Sequence, residues 1–205
     1  VQDIQTSYLL NELKDNDVKD FVNDSMVQIK YMSKTLSDFR NFLKPSTKKN
    51  LFSVSKALNE INEIIGKQIF YSNIQMNFNY KNKNEELLIY GYENEFKQVL
   101  LNIINNAKNK IVEKNLPLNK KGSIDINIDK CINYNTIEII DDAGEIDEKI
   151  INSIFEPYFT TKEDGMGLGL YMAKIIIEDK MRGIINVRND ENRVIFTIKL
   201  PHKKA

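Results

Sequence analysis

The sequence predicts an α+β fold, a two-layer α/β sandwich with helices on one face of its sheet, preceded by an α-helical hairpin. Three observations predict it. A heptad apolar seam runs through residues 18–43 and stops before Pro45. Beyond that break, stretches of period two and period 3.6 follow one another without a regular strand–helix alternation. That mixture favours helices gathered on one sheet face over a doubly wound parallel sheet. The 205 residues suffice for one good-sized core, or for a core with a smaller appendage.

Taken in order, residues 1–13 carry a short apolar rhythm of Val1, Ile4, Tyr8, Leu10 and Leu13. Lys14-Asp15-Asn16 reads as the turn of a hairpin, and Asp17 as the N-cap of its second helix. In that helix Val18, Ser25, Met32 and Phe39 recur every seven residues, as do Val22, Ile29, Leu36 and Leu43. Interleaved, the two series form the seam of a coiled coil or bundle, with Ser25 its polar member. A single hairpin exposes that seam, so pairing of two copies into a four-helix bundle is expected. Residues 45–50 read as a linker opened by Pro45. Residues 54–70 read as a helix with Val54, Leu58, Ile61 and Ile65 on one face, and Ile74, Met76, Phe78 and Tyr80 alternate as a strand. A short strand spans 87–90. Residues 93–114 form the strongest helix, striped by Phe96, Val99, Leu100, Ile103, Ile104, Ala107 and Ile111. Strands follow at 124–128 and 136–140, then a helix over 168–181 stopped by Gly183. Val187 and residues 194–200 close the chain as a hairpin about Asn189–Asn192.

Composition excludes several classes. Basic and acidic residues balance at 29 each, against a dedicated nucleic-acid or membrane-surface binder. The single cysteine, Cys131, permits no intrachain disulfide and fits a reducing cytoplasm. No apolar run is long enough to span a bilayer. The opening Val1 reads as the start of an excised segment, and membrane anchoring of its parent is left open.

Four local features carry chemistry. Asn102 and Asn106 share a helix face at i and i+4, beside the apolar stripe. Their amide oxygens suit Mg²⁺ and their NH₂ groups suit phosphate, although asparagines on a solvated flank look the same. Asp141-Asp142-Ala143-Gly144-Glu145-Ile146 ends an apolar strand in an acidic turn. A carboxylate there accepts a hydrogen bond from a base amine, or caps its own turn. Phe155-Glu156-Pro157-Tyr158-Phe159 makes a stiff aromatic anchor before a polar stretch containing Lys162, as in a lid or a tethered surface loop. Gly165-Met166-Gly167-Leu168-Gly169-Leu170 enters a helix directly, where free N–H groups favour an anion. It is neither the dinucleotide fingerprint nor a P-loop.

The order and spacing of these four features resemble the gyrase, chaperone, histidine kinase and mismatch-repair (GHKL) ATPase superfamily, in its histidine kinase branch. The likeness covers residues 51–201. Asn102 and Asn106 are similar to the N box, Asp141–Ile146 to the first glycine box, Phe155–Lys162 to the F box, and Gly165–Leu170 to the second glycine box. The heptad segment resembles the second helix of the kinase dimerisation hairpin, so residues 1–44 become part of that hairpin and 202–205 a tail. The resemblance implies a mixed sheet, binding of ATP with Mg²⁺, and phosphoryl transfer to a histidine for relay to a response regulator receiver domain. It implies that Asp141 bonds the adenine amine, that Asn106 ligates Mg²⁺, and that Asn102 supports the phosphates. Gly165, Gly167 and Gly169 would cradle the phosphates, with Met166, Leu168 and Leu170 alongside. Gly144 and Ile146 would belong to the nucleotide-binding set, and Tyr158 and Lys162 would flank the nucleotide. Asn102 stands where hydrolysing members carry a water-activating glutamate, which suits a kinase.

This chain departs from the family's Asp-Asn-Gly-x-Gly-Ile box at Asp142, Ala143 and Glu145. A positive φ at Glu145 would strain it, and a carboxylate facing the phosphates would repel them. That motivates a second reading, a pseudokinase-like module acting through its hairpin. A third, an ATP-hydrolysing relative, lacks its glutamate. The resemblance places a phosphoacceptor histidine near the start of the first hairpin helix. The one histidine, His202, reads as a solvated tail residue, so the acceptor is expected upstream and no self-phosphorylation of these residues is expected.

Overall fold

A computed structural model describes residues 9, 15–43, 45–81, 86–114, 117, 120–162 and 165–202. The chain divides into two units, Val1–Lys44 and Pro45–Ala205.

In the first unit, helix α1 spans Asp15–Leu43. It starts ahead of the expected cap. Asp15 and Asn16 belong to the helix and not to a turn, and Asp17 lies in the first turn, where an acid complements the N-terminal dipole. Seam residues Val18, Val22 and Ile29 are exposed, at 40%, 50% and 54%. The expected first hairpin helix lies outside the described residues, apart from the helical Leu9.

The second unit begins with a strand that periodicity did not reveal. β1 (Asn50–Ser53) pairs antiparallel with β3 (Leu88–Gly91) as a ribbon. The residues read as a linker are held to the same region. Asn94 N–H donates to Ser46 Oγ at 3.2 Å, and Ser46 N–H donates to the Glu95 carboxylate at 3.2 and 3.3 Å. The Lys49 ammonium lies 5.4 Å from the Tyr92 ring centre. A four-residue strand is too short for alternation to stand out, so its existence rests on its partner.

Ser53 caps helix α2 (Val54–Tyr71), its hydroxyl accepting from Lys56 N–H at 3.3 Å. Asn73, at φ 57°, turns the chain into β2 (Ile74–Tyr80). Helix α3 (Glu93–Glu113) buries the whole predicted stripe. Its Lys97 is buried, and the ammonium reaches Glu60 of α2 at 2.7 Å. β4 (Gly122–Lys130) and β5 (Tyr134–Asp141) follow. Helix α4 (Gly169–Lys174) passes into a π-helical segment, Ile175–Lys180, and β6 (Ile184–Asp190) and β7 (Arg193–Pro201) close the unit. A uniform helix was expected over 168–181. Instead Met181 N–H bonds to Ile176 C=O at 3.0 Å, the i→i+5 pattern that stacks residues five apart, and both side chains are buried.

The five-stranded sheet has the order β2-β4-β5-β7-β6, with β2 and β4 parallel and every other pair antiparallel. It is the expected mixed α+β sandwich. Ile124, Ile126, Ile137 and Ile139 are fully buried against the helices. Alternate residues face away and pair side by side: Asn77 with Asp125 at 2.8 Å and Asn79 with Asn127 at 3.0 Å. Each fully buried isoleucine is worth about 1.5–3 kcal/mol. The polar pairs trade their bonds with water and add far less, so the isoleucine face sets the register. His202 is not the solvated residue expected. Its N–H reaches Asn133 C=O at 3.5 Å, and its Nε2 is buried without a hydrogen-bond partner.

Candidate nucleotide site

The strand parity that buries Ile137 and Ile139 also buries Asp141, the last residue of β5, which is 4% exposed. Its Oδ1 accepts the Ala143 N–H at 3.1 Å. Desolvation pushes the Asp141 carboxyl up to about 6, and the Asp142 charge adds to that; the Ala143 bond and the Lys114 ammonium oppose it. Lys114 is held nearby by its bond to Asp142 C=O at 3.2 Å.

Asp141 lies in the wall of a cavity of about 390 Å³. Helix α3 forms another side with Asn106, Ala107 and Lys110. Asn106 Oδ1 accepts from Lys162 Nζ at 3.2 Å. One turn earlier, Asn102 Nδ2 donates to Gly169 C=O at 3.2 Å, tying α3 to the start of α4. The turns at 148–158 supply Ile150 and Ile154, and the Phe155 ring stands edge-on to Phe196, 6.3 Å between centres. Those aromatics anchor the segment that carries Lys162. At its far end Gly165 N–H returns to Lys162 C=O at 3.2 Å.

Of the predicted residues, Asn106, Asp141, Gly144, Ile146, Lys162, Gly165, Gly167, Gly169 and Leu170 line the cavity. Asn102, Tyr158, Met166 and Leu168 do not. Asn102 is spent on Gly169; Leu168 precedes α4 and accepts from Met172 N–H at 2.9 Å. Tyr158 and Met166 point outward at 76% and 78% exposure, and Tyr158 holds φ 64° to turn the chain. The backbone strain expected of Glu145 does not occur, and Glu145 is among the residues that line the cavity. The positive φ belongs to Gly144, at 96°, and the Glu145 carboxylate accepts the Asn192 N–H at 3.2 Å. Sequence reasoning missed Ile150, Ile154, Val194 and Phe196 as cavity walls. The i, i+4 spacing of Ile150 and Ile154 was the available signal.

This arrangement can hold a flat polar ring against Asp141 and an anion beside Asn106, Lys162 and the glycine segment. Residues 91–204 match the profile of the histidine kinase-, DNA gyrase B-, and HSP90-like ATPases. The chain belongs to this family. Within it, the chain is a homologue of the sensor histidine kinases and carries their ATPase catalytic domain. It is 30% identical over 171 residues to sporulation kinase A of Bacillus subtilis, covering 82% of this chain and 27% of that protein. This chain therefore spans little more than a quarter of that relative. The catalytic domain of the histidine kinase ThkA superposes with a TM-score of 0.67 at 29% identity, covering 76% of this chain and 96% of that one. ThkA in complex with the response regulator protein TrrA shares the fold, with a TM-score of 0.62 at 23% identity over 96% of this chain and 56% of that one.

Proposed function

We propose that this chain binds ATP in the Asp141 cavity, as the catalytic region of a histidine kinase that transfers the γ-phosphoryl group to a histidine for relay to a response regulator receiver domain. The carrying observation is the desolvated Asp141 carboxylate in the cavity wall. An adenine amine donating to it would offset the cost of burying that acceptor. Across the cavity, Lys162 and the backbone of Gly165, Gly167 and Gly169 take the phosphates. Mg²⁺ fits Asn106 Oδ1, a hard amide oxygen that already holds a cation, the Lys162 ammonium. When bound, the metal neutralises charge on the phosphate oxygens. The residues of this chain do the positioning. Asn102 fixes Gly169, and the aromatic anchor fixes the Lys162 segment. No carboxylate stands at position 102 to activate water, which suits a site that keeps ATP for an attacking imidazole. That imidazole's nitrogen bonds to the γ-phosphorus as the bond to the β-phosphate oxygen breaks, and ADP leaves.

The acceptor is a histidine other than His202, whose Nε2 is shut away from solvent. Phosphate found on His202 after incubation with Mg-ATP would contradict this. The exposed Val18, Val22 and Ile29 seam supports pairing of two copies through α1 and offers the helical surface on which a receiver domain docks. That a relative, ThkA, is seen with a response regulator supports the second role. Among the described residues no helix is long and apolar enough to cross a membrane. We assign this region to the cytoplasm, where ATP is supplied.

Calorimetric titration with ADP and a non-hydrolysable ATP analogue, with and without Mg²⁺, tests the reading beside Asp141→Asn. Mg²⁺-assisted binding that the variant loses supports it. No binding at millimolar nucleotide overturns it and leaves the pseudokinase-like module acting through its hairpin.

A further inference from the structure

The turn after Asp141 belongs to no strand, yet it is bridged to the β6–β7 hairpin. Asn189 Oδ1 accepts the Ile146 N–H at 2.9 Å, and Asn189 Nδ2 donates to the Ile146 C=O at 2.8 Å. One primary amide thus satisfies both polar groups of a single residue, as a neighbouring strand would. Beside this, Asn192 N–H donates to Glu145 at 3.2 Å. Gly144 and Ile146 line the cavity with Asp141, whereas Asn189 does not. Asparagine suits this place for a specific reason. Aspartate would keep the Ile146 N–H bond and set a carboxylate oxygen against the Ile146 carbonyl. Leucine, of similar shape, would leave both part-buried backbone groups unpaired.

We propose that Asn189 is a positioning residue for nucleotide binding, acting through Ile146 to hold the Ala143–Ile146 turn at the distance from Asp141 that the base requires. The proposal rests on the nucleotide reading above. It extends the site to the β6–β7 hairpin, and it explains how a turn with Ala143 and Glu145 in place of glycines keeps one shape. Gly144 alone makes the reversal, and the hairpin holds the two residues that follow.

The test compares the full chain with Asn189→Leu and Asn189→Asp. Two quantities are read: the hydrogen-exchange rate of the Ile146 amide, and ADP affinity with Mg²⁺. In Asn189→Leu, Ile146 exchange should rise while the amides of β4, β5 and β7 keep their protection, and the ADP dissociation constant should rise about tenfold, the effect of losing one to two modest hydrogen bonds. Asn189→Asp should fall between. A general loss of stability would raise exchange across the sheet instead. Should Asn189→Leu fail to fold, the aspartate variant decides by the same two readings. Unchanged ADP affinity beside faster Ile146 exchange overturns the proposal, as does unchanged exchange. An unsubstituted chain that binds no ADP overturns the nucleotide reading itself, and the positioning role with it.

Discussion

Lys162 donates its ammonium to Asn106 Oδ1 at 3.2 Å, across 56 residues of sequence. The amide oxygen assigned to Mg²⁺ is therefore held by a cation of the protein's own. If Mg²⁺ takes this oxygen, as proposed, the ammonium is freed for the phosphates. In Lys162→Met, ADP should bind more weakly without Mg²⁺, because a phosphate partner is lost. The gain in affinity on adding Mg²⁺ should be larger than in the unsubstituted chain, by about tenfold if one charge-assisted bond of roughly 1.5 kcal/mol or more is displaced. Calorimetry with and without the metal measures both. An equal Mg²⁺ gain in the two proteins would show that ammonium and metal do not share the oxygen.

Asp141 makes the domain's stability depend on pH. Its carboxyl rises from 3.8 to about 6 in the folded state, so between about pH 4 and 6 the folded chain binds more protons than the unfolded one. Stability from this group is full below pH 4 and lost as pH rises through 6. Asp141→Asn keeps an acceptor for Ala143 N–H and carries no charge. It should be more stable than the unsubstituted chain at pH 8 by about 2–3 kcal/mol, and no more stable at pH 4. Urea unfolding at the two pH values measures this. Nucleotide affinity should move oppositely in the unsubstituted chain, tightening from pH 5 to 7 as the acceptor ionises.

The glycines at the entry to α4 should not respond alike to substitution. Gly167 has φ 65°, and an added Cβ would lie 2.6 Å from Phe159 O. A Cβ on Gly169 would meet Asn102 Cγ at 3.7 Å, an ordinary contact. Gly167→Ala should cost more than about 1 kcal/mol and abolish ADP binding, whereas Gly169→Ala should fold with unchanged or slightly higher stability. Thermal unfolding of the two variants side by side checks the difference.

If α1 pairs between copies, Ile29→Asp should raise the dimer dissociation constant by at least about tenfold, since each buried isoleucine side chain is worth about 1.5–3 kcal/mol. ADP affinity should stay unchanged. Sedimentation velocity over a concentration series reads the first quantity. A chain that is monomeric at every concentration before substitution removes the basis for pairing.

Much of this protein was legible without coordinates. The α3 stripe, the alternating isoleucines of β4 and β5, and Asp141 at a strand end all express periodicity, a local consequence of having one buried face. Asn102, Asn106, Asp141 and the glycine segment were read as one site through the resemblance to the GHKL ATPases, because each alone also fits a solvated helix flank, a capped turn or a surface loop. β1 and the π-helical turn left no periodic mark, whereas β3, the partner of β1, was read as a short strand over 87–90. β1 is too short to alternate, and the π-helical segment continues the apolar rhythm of the helix before it.

The sequence by itself determined most of the elements, their buried faces, and that an acidic pair stands where an apolar strand runs out. Only the tertiary structure decided what those residues touch. It placed Lys162 on Asn106, Asn102 on Gly169 and Asn189 on Ile146, pairs separated by 56, 67 and 43 residues. It also turned Tyr158 outward and Glu145 toward Asn192. Burial repeats along a chain and can be read from it. A hydrogen bond between distant side chains depends on where the sheet order β2-β4-β5-β7-β6 brings their backbones, and no local period records that.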